Sequence, residues 1–291
     1  MARKKAPVIE KAARTGFCFG VRQAINLLEK VARERGGVAT LGAVVHNQQV
    51  LQKLAEIGVK VVNNIDEIQG NTIVTSSHGV SPDLEDKLRA RHNEVISTTC
   101  PNVQRAQAAA KKLAESDFFV IVYGDAEHPE VKGILGWAKG RGMATTDERV
   151  VAALDPLPHR LGILSQTTQV PARFREFVKK IVDFALTKNS EIHVIDTICH
   201  DLRERQAAAL ELARRADLML VVGGRSSANT NRIAELCSQV TETHLIETAE
   251  DINPAWLKGK QHIGVTSGAS TAEDTVDEVM KRLKEMTDEL K

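Results

Sequence analysis

The chain is poor in aromatic side chains, with seven Phe, two Trp and one Tyr among 291 residues. Its core must be aliphatic, and the aromatic platforms that stack single-stranded nucleic acid are not to be expected. Net charge is also scarce. Thirty-nine Lys and Arg oppose 38 Asp and Glu, for a formal +1, which argues against a global electrostatic grip on nucleic acid or membrane. No apolar run approaches the ~18 residues that a membrane helix needs. The strongest runs, Phe118 to Tyr123 and Leu218 to Val222, have the length of strands. The eight prolines do not gather into a linker. The opening MARKKAPVIEKAARTG is basic without an apolar stretch. No signal peptide is read there, and a cytoplasmic, reducing setting is expected. The four cysteines are never clustered as CxxC or CxxxCxxC. That weakens zinc ribbons and ferredoxin-type sites, while metal binding or catalysis remains a better use for them than disulfides.

What is present is an ordinary globular composition, 42% apolar and 26% charged. Strand-like and helix-like segments alternate. VATLGAVV, KVVNN, NTIVTSS, NEVISTT, FFVIVYG, RLGILSQ, IHVIDTI, LMLVVGG and HIGVTSG read as short buried strands. The stretches between them carry apolar residues at helical spacing, as in Val276, Val279, Met280 and Leu283. This alternation predicts an α/β chain with mostly parallel sheets.

The pattern repeats three times. Cys18, Cys100 and Cys199 each open a helix, in GFCFGVRQAINLLEK, TTCPNVQRAQAAAKKLAE and TICHDLRERQAAALELARRA. A strand follows each helix and runs into polar residues around His46, His128 and Ser227, which stand at one and the same interval after their cysteines. A second helix and strand then end in SSHGVS with His78, SQTTQV with Thr167 and Thr168, and TSGAST with Ser267 and Ser270. Ligands of parallel α/β sheets bind beyond the carboxyl ends of the strands. Three such units around an axis would bring three cysteines and about six polar side chains to one cavity. The expected organisation is an N-terminal segment 1–15, then α/β units over 16–98, 99–197 and 198–291 with the C-terminal helix.

A cysteine at a helix N-terminus meets the positive end of the helix dipole, which favours the metal-binding thiolate. Three thiolates at long spacing suit an iron–sulfur cluster or a zinc site. In a four-iron cluster held by three cysteines, one iron lacks a protein thiolate and can act on a substrate as a Lewis acid. Cys237, mid-helix among apolar residues, reads as packing. His46, His78, His128, Ser227, Asn229 and Ser270 can donate hydrogen bonds to a phosphate-bearing ligand. GGRSSANTN before a helix suits an anion. Glu130, two residues beyond His128, is a carboxyl placed to deliver protons. His92, His159, His193, His200, His244 and His262 have no such placement, with His200 set apart only by its neighbour Cys199.

In GFCFGVRQAI, VVHNQQVLQKLAEIGV, SSHGVS, TCPNV, HPEVKG, SQTT, DTIC followed by RQ, SSANTNRIAEL and GVTSGAS, taken in order over residues 16–273, the chain resembles the 4-hydroxy-3-methylbut-2-enyl diphosphate reductases. The resemblance implies three pseudo-repeated α/β units around a central 4Fe–4S cluster with Cys18, Cys100 and Cys199 as ligands. It implies that His46, His78, His128, Ser227, Asn229 and Ser270 hold the substrate diphosphate or its near surroundings. Thr167 would lie near the substrate hydroxyl, and Glu130 would relay protons. The implied reaction is reductive removal of that hydroxyl, giving isopentenyl and dimethylallyl diphosphate with electrons from a ferredoxin or flavodoxin. Five positions depart from the family's usual residues. Asp201 and Leu202 stand where Ala and Thr are frequent, Glu127 for Gly, Thr98 for Asp, and Ala228 for Ser or Gly. These departures leave room for a paralogue acting on another allylic diphosphate. A non-catalytic zinc protein with three cysteine ligands is the other rival; a pure electron carrier would call for a fourth cysteine.

Overall fold

The computed structural model describes residues 7–68, 70, 72–91 and 94–289. His92 lies outside them. In chain order, β1 (Val8–Lys11), α1 (Phe19–Arg35), β2 (Val38–Leu41), α2 (Gln48–Glu56), β3 (Val59–Val62), β4 (Thr72–Thr75), α3 (Pro82–Arg91) and β5 (Glu94–Ser97) come first. Then follow α4 (Pro101–Glu115), β6 (Phe119–Tyr123), α5 (Pro129–Trp137), β7 (Gly142–Thr145), α6 (Glu148–Ala152), β8 (Arg160–Ser165), α7 (Pro171–Ala185) and β9 (Glu191–Val194). The last elements are α8 (His200–Ala213), β10 (Leu218–Val222), α9 (Ala228–Ser238), β11 (Glu242–Ile246), β12 (His262–Ser267) and α10 (Glu273–Glu289). Proline opens α3, α4, α5 and α7, where its missing N–H costs nothing and its fixed φ suits the first turn.

The strands form three four-stranded sheets, β3-β2-β4-β5, β7-β6-β8-β9 and β1-β12-β10-β11, with parallel pairing throughout. Read from its first strand, each sheet has the same plan. The second strand lies on one side of the first, and the third and fourth lie on the other. In the third sheet the fourth place is filled by β1, from the opening stretch of the chain. Its backbone runs beside β12 with Val8 opposite His262 and Lys11 opposite Val265. Each cysteine of the repeat therefore follows a fourth strand: Cys18 after β1, Cys100 after β5 and Cys199 after β9. In every sheet the order reverses between the first and third strands, which opens a crevice at their carboxyl ends.

The chain packs as two units. One comprises Met1–Arg22, Val45–Lys53 and His200–Lys291; the other comprises Gln23–Val44 and Leu54–Cys199. In the first, alternate residues of β10 serve opposite faces, as strand geometry requires. Leu218, Leu220 and Val222 join Ile263 and Val265 against Val276, Val279, Leu283 and Met286 of α10. Met219 and Val221 pack with Ala209 and Leu212 of α8 and with Ile233 and Cys237 of α9. In the second unit, Val120, Val122 and Leu164 meet α4 and α5, while Ile121, Tyr123, Leu161 and Ile163 meet Phe174, Phe177 and Ile181 of α7. Burial on both faces accounts for the continuous apolar runs of β6 and β10. Among the described residues no helix is long and apolar enough to cross a membrane.

Candidate functional site

In the second unit one carboxylate links the segments that follow β6 and β8. Glu130 sits in the first turn of α5 and is 2% exposed. Its Oε1 accepts the backbone N–H of Thr167 at 2.6 Å, and its Oε2 accepts the Thr167 hydroxyl at 2.9 Å. Burial raises its pKa from 4.5 to about 7, against the opposing pull of the two Thr167 bonds. The carboxyl is thus poised to hold or release a proton near neutrality. The Thr167 hydroxyl can donate to the carboxylate or turn and accept from the carboxylic acid.

His128 caps α5. Its Nδ1 accepts the N–H of Glu130 at 3.2 Å, which places the ring proton of a neutral imidazole on Nε2. His78 follows β4 and meets His128 edge to face, with ring centroids 5.4 Å apart. Gly79, next in sequence, has φ +70°, a left-handed conformation, and a Cβ there would press on the Gln107 amide and the Thr99 methyl. The turn that carries His78 thus needs glycine behind it.

The two cysteines of this unit are tied to the same loops. Cys100 N–H donates to the carbonyl of Ser77 at 3.0 Å, and Cys199 N–H to that of Thr167 at 2.9 Å. Cys100 is the N-cap residue of α4, yet its side chain makes no capping bond. Asn102, in the first turn of that helix, donates its side-chain amide to Cys199 Sγ at 3.3 Å. Asn102 was not singled out from the sequence, although it stands in TCPNV; its signal is a polar amide two residues beyond a helix-opening cysteine.

In the first unit the same strand ends carry the remaining residues. Cys18 follows β1. Its N–H donates to Ala269 O at 3.0 Å, and its Sγ accepts the N–H of Val21 at 3.4 Å in the opening turn of α1. Ser227 caps α9, accepting the Thr230 N–H at 3.3 Å, so its own hydroxyl proton remains to be donated. Asn229 lies in the first turn of α9 and Ser270 beyond β12. Both are buried, and neither the Asn229 amide nor Ser270 Oγ finds a hydrogen-bond partner among the described residues. Buried polar groups left in this state have the capacity to bind a water, an ion or a ligand. The half-buried His46 has its imidazole pKa lowered by burial. Its backbone carbonyl abuts Gly224, where a Cβ would collide with it. The fourth cysteine, Cys237, is fully buried in the apolar layer beneath α9, and burial pushes its thiol up to about 12.

Within the first unit the sequence-selected Cys18, His46, Ser227, Asn229 and Ser270 thus stand on the loops, or in the first helical turn, after β1, β2, β10 and β12. Within the second, His78, Cys100, His128, Thr167 and Cys199 stand on the loops after β4, β5, β6, β8 and β9, and Glu130 in the first turn of α5. Four of the five departures add no unpartnered polar group to these positions. Glu127 points to solvent and pairs with Lys132 at 2.7 Å. Thr98 is buried and donates to Thr75 O at 2.6 Å. Leu202 is buried in α8, and Ala228 is the first residue of α9.

The chain is similar over nearly its whole length to proteins of known name. A curated relative from Dehalococcoides mccartyi, named 4-hydroxy-3-methylbut-2-enyl diphosphate reductase, is 56% identical over 279 residues, covering 96% of this chain and 98% of its own. One of the same name from Geobacter metallireducens is 43% identical, covering 94% and 96%. A solved structure of (E)-4-hydroxy-3-methyl-but-2-enyl diphosphate reductase, described as the terminal enzyme of the non-mevalonate pathway, is 35% identical. It superposes with a TM-score of 0.69 over 97% of this chain and 100% of its own. A Plasmodium falciparum structure, 24% identical, shares the fold with a TM-score of 0.88, covering 95% and 88%. The sequence model of the LytB protein family matches residues 9–284, and with that span and those identities the chain belongs to the LytB family.

Proposed function

We propose that this chain is an oxidoreductase that removes the allylic hydroxyl of 4-hydroxy-3-methylbut-2-enyl diphosphate, yielding isopentenyl and dimethylallyl diphosphate. The observation that carries the reading is Glu130: a carboxyl buried at a strand-order reversal, bonded twice to Thr167, with a pKa near 7, in a chain whose relatives bear that enzyme's name. A proton donor for reduction needs this combination of shelter from water and near-neutral affinity.

The LytB family binds an iron–sulfur cluster. We assign Cys18, Cys100 and Cys199 as its ligands in this chain. The donor set fits: three thiols, each preceding a helix, two of them receiving N–H donors at sulfur, from Val21 and from Asn102, bonds that tune such centres. When bound, a 4Fe–4S cluster supplies electrons one at a time and one iron without a protein ligand as a Lewis acid.

The chain's own residues do the rest. Asn229 and Ser270 present buried, unpartnered polar atoms suited to phosphate oxygens, and Ser227 adds a hydroxyl at the N-terminus of α9, where an anion is favoured. His46, His78 and His128 are assigned to the same diphosphate, His128 through Nε2, since its Nδ1 accepts the Glu130 N–H. Thr167 is assigned to the substrate hydroxyl and passes protons between it and Glu130. In the balanced reaction the substrate C–O bond takes up two electrons and two protons. The hydroxyl departs as water with one proton, and the carbon skeleton gains a C–H bond with the other. The electrons come from a one-electron donor of the ferredoxin or flavodoxin class.

The decisive experiment is anaerobic purification with iron and zinc analysis and a visible spectrum, then turnover with 4-hydroxy-3-methylbut-2-enyl diphosphate and a chemical reductant. A brown protein with about four irons that forms both products supports the reading. A colourless protein holding one zinc, refractory to iron reconstitution, overturns it. An iron-loaded protein inert toward this substrate but active on another allylic diphosphate would reassign the substrate alone. Glu130→Gln should retain iron and lose turnover by about 100-fold or more.

A further inference from the structure

Arg205 is the largest of the fully buried side chains among the described residues, and no step of the proposed reaction uses it. It stands in the second turn of α8, the helix that opens directly after Cys199. Its Nη1 donates to the carbonyl of Arg14 at 3.4 Å, in the short stretch that leads from β1 to Cys18. Its Nη2 lies 3.7 Å from Asp201 Oδ2, one helical turn earlier. Arg205 Nε and Asp201 Oδ2 have no hydrogen-bond partner among the described residues. The charge is therefore buried and incompletely compensated, an arrangement that costs stability and that an apolar side chain of similar volume would avoid. The other charged groups that bear on it are Cys18, Glu273 and Arg14. Burial lowers its proton affinity and Asp201 and Cys18 raise it, but a guanidinium remains charged at any ordinary pH.

We propose that Arg205, with Asp201 as its partial counter-charge, sets the reduction potential of the iron–sulfur cluster held through Cys18, an inference that rests on the cluster reading above. Reduction adds negative charge to a cluster. A buried cation nearby stabilises the reduced form and raises the potential, because net charge and hydrogen bonding around the sulfurs are what tune such centres. Asp201 opposes it. The carboxylate is a brake on the effect of the cation. Arg205 is a positioning residue, acting through Cys18 and touching no substrate.

The test is the midpoint potential of the anaerobically prepared holoprotein, measured by redox titration with spectroscopic readout, together with the iron content of each variant. Asp201→Asn should shift the midpoint to more positive values and Arg205→Met to more negative ones, while Arg205→Lys stays near the parent. If Arg205→Met fails to fold or to hold iron, the partly exposed Asp201 and the charge-conserving Lys variant carry the test. Unchanged midpoints at full iron content, or Asn and Met shifts of the same sign, overturn the inference and leave the cluster reading standing. So does a Lys variant that behaves like Met. A parent protein that binds no iron overturns both.

Discussion

Glu130 makes stability depend on pH in a direction that can be worked out from its surroundings. Burial lifts its pKa from 4.5 to about 7 in the folded chain. Between those values the folded state holds a proton that the unfolded state has released, so folding weakens as pH rises. The stabilising term is intact below about pH 4.5 and is spent once pH exceeds about 7. At ~1.4 kcal/mol for each tenfold change in proton affinity, the whole effect is on the order of 3 kcal/mol. Glu130→Gln cannot ionise and keeps a carbonyl for the Thr167 N–H. Urea unfolding of the metal-free parent and variant at intervals from about pH 5 to about pH 8 isolates the term, because every other titrating group is common to both. The variant should gain on the parent as pH rises, by about 3 kcal/mol at the upper end. Parallel stability curves would falsify the claim that this carboxyl is buried and poised near neutrality. Turnover carries the matching sign: a proton donor with a pKa of about 7 is loaded below that pH, so the rate should fall as pH rises through it.

Further outcomes can be measured separately. Cys100→Ser should lose the cluster while Cys237→Ser keeps it, read as iron content and visible absorbance; equal iron in both would undo the ligand assignment. Asn229→Ala should raise KM by about 10- to 100-fold, the worth of one or two hydrogen bonds to a charged group. Its metal-free stability should hardly change, since the amide has no partner to lose among the described residues; a large drop in melting temperature with normal KM would contradict this. Gly224→Ala should destabilise by about 1–3 kcal/mol, because the new methyl meets the His46 carbonyl. Denaturant melts identical to the parent would show that this contact is not tight.

The periodic signal for α/β architecture was strong where strands are central and weak at sheet edges. β6, β8, β10 and β12 are buried on both faces and are visible as apolar runs. The three strands that periodicity did not reveal are β1 (VIEK), β7 (GMAT) and β11 (ETHLI), each at the edge of its sheet. Edge strands are half exposed and tolerate charge, so their composition resembles a loop. β1 carries the weakest local signal, because its partner β12 is more than two hundred residues away and nothing nearby announces the pairing. The candidate site was legible for a different reason. Polar residues that interrupt apolar runs at strand ends are conspicuous in sequence, and the three cysteines gave them a common origin. What spacing did not reveal is which polar residues would be satisfied internally. Ser227 spends its acceptor on capping α9, whereas Asn229 and Ser270 are left with unpartnered atoms.

The departures from the family's usual residues can be ranked on the same physical footing. A substitution changes chemistry at a site when its side chain brings charge or hydrogen-bonding capacity there. Glu127 brings charge but directs it to solvent and to Lys132, where an exposed pair contributes little. Thr98 satisfies its hydroxyl on the Thr75 carbonyl. Ala228 and Leu202 bring neither charge nor a side-chain hydrogen bond. Asp201 alone adds a charge that is partly buried and aimed at another buried charge, Arg205. If any of the five alters the reaction, the electrostatics therefore select Asp201, and the change should appear in the ease of reduction before it appears in the recognition of the diphosphate. Comparing Asp201→Ala with the parent decides this. A shift in rate at limiting reductant with unchanged KM for substrate fits the electrostatic role, and a changed KM at unchanged potential would assign the residue to substrate fit instead.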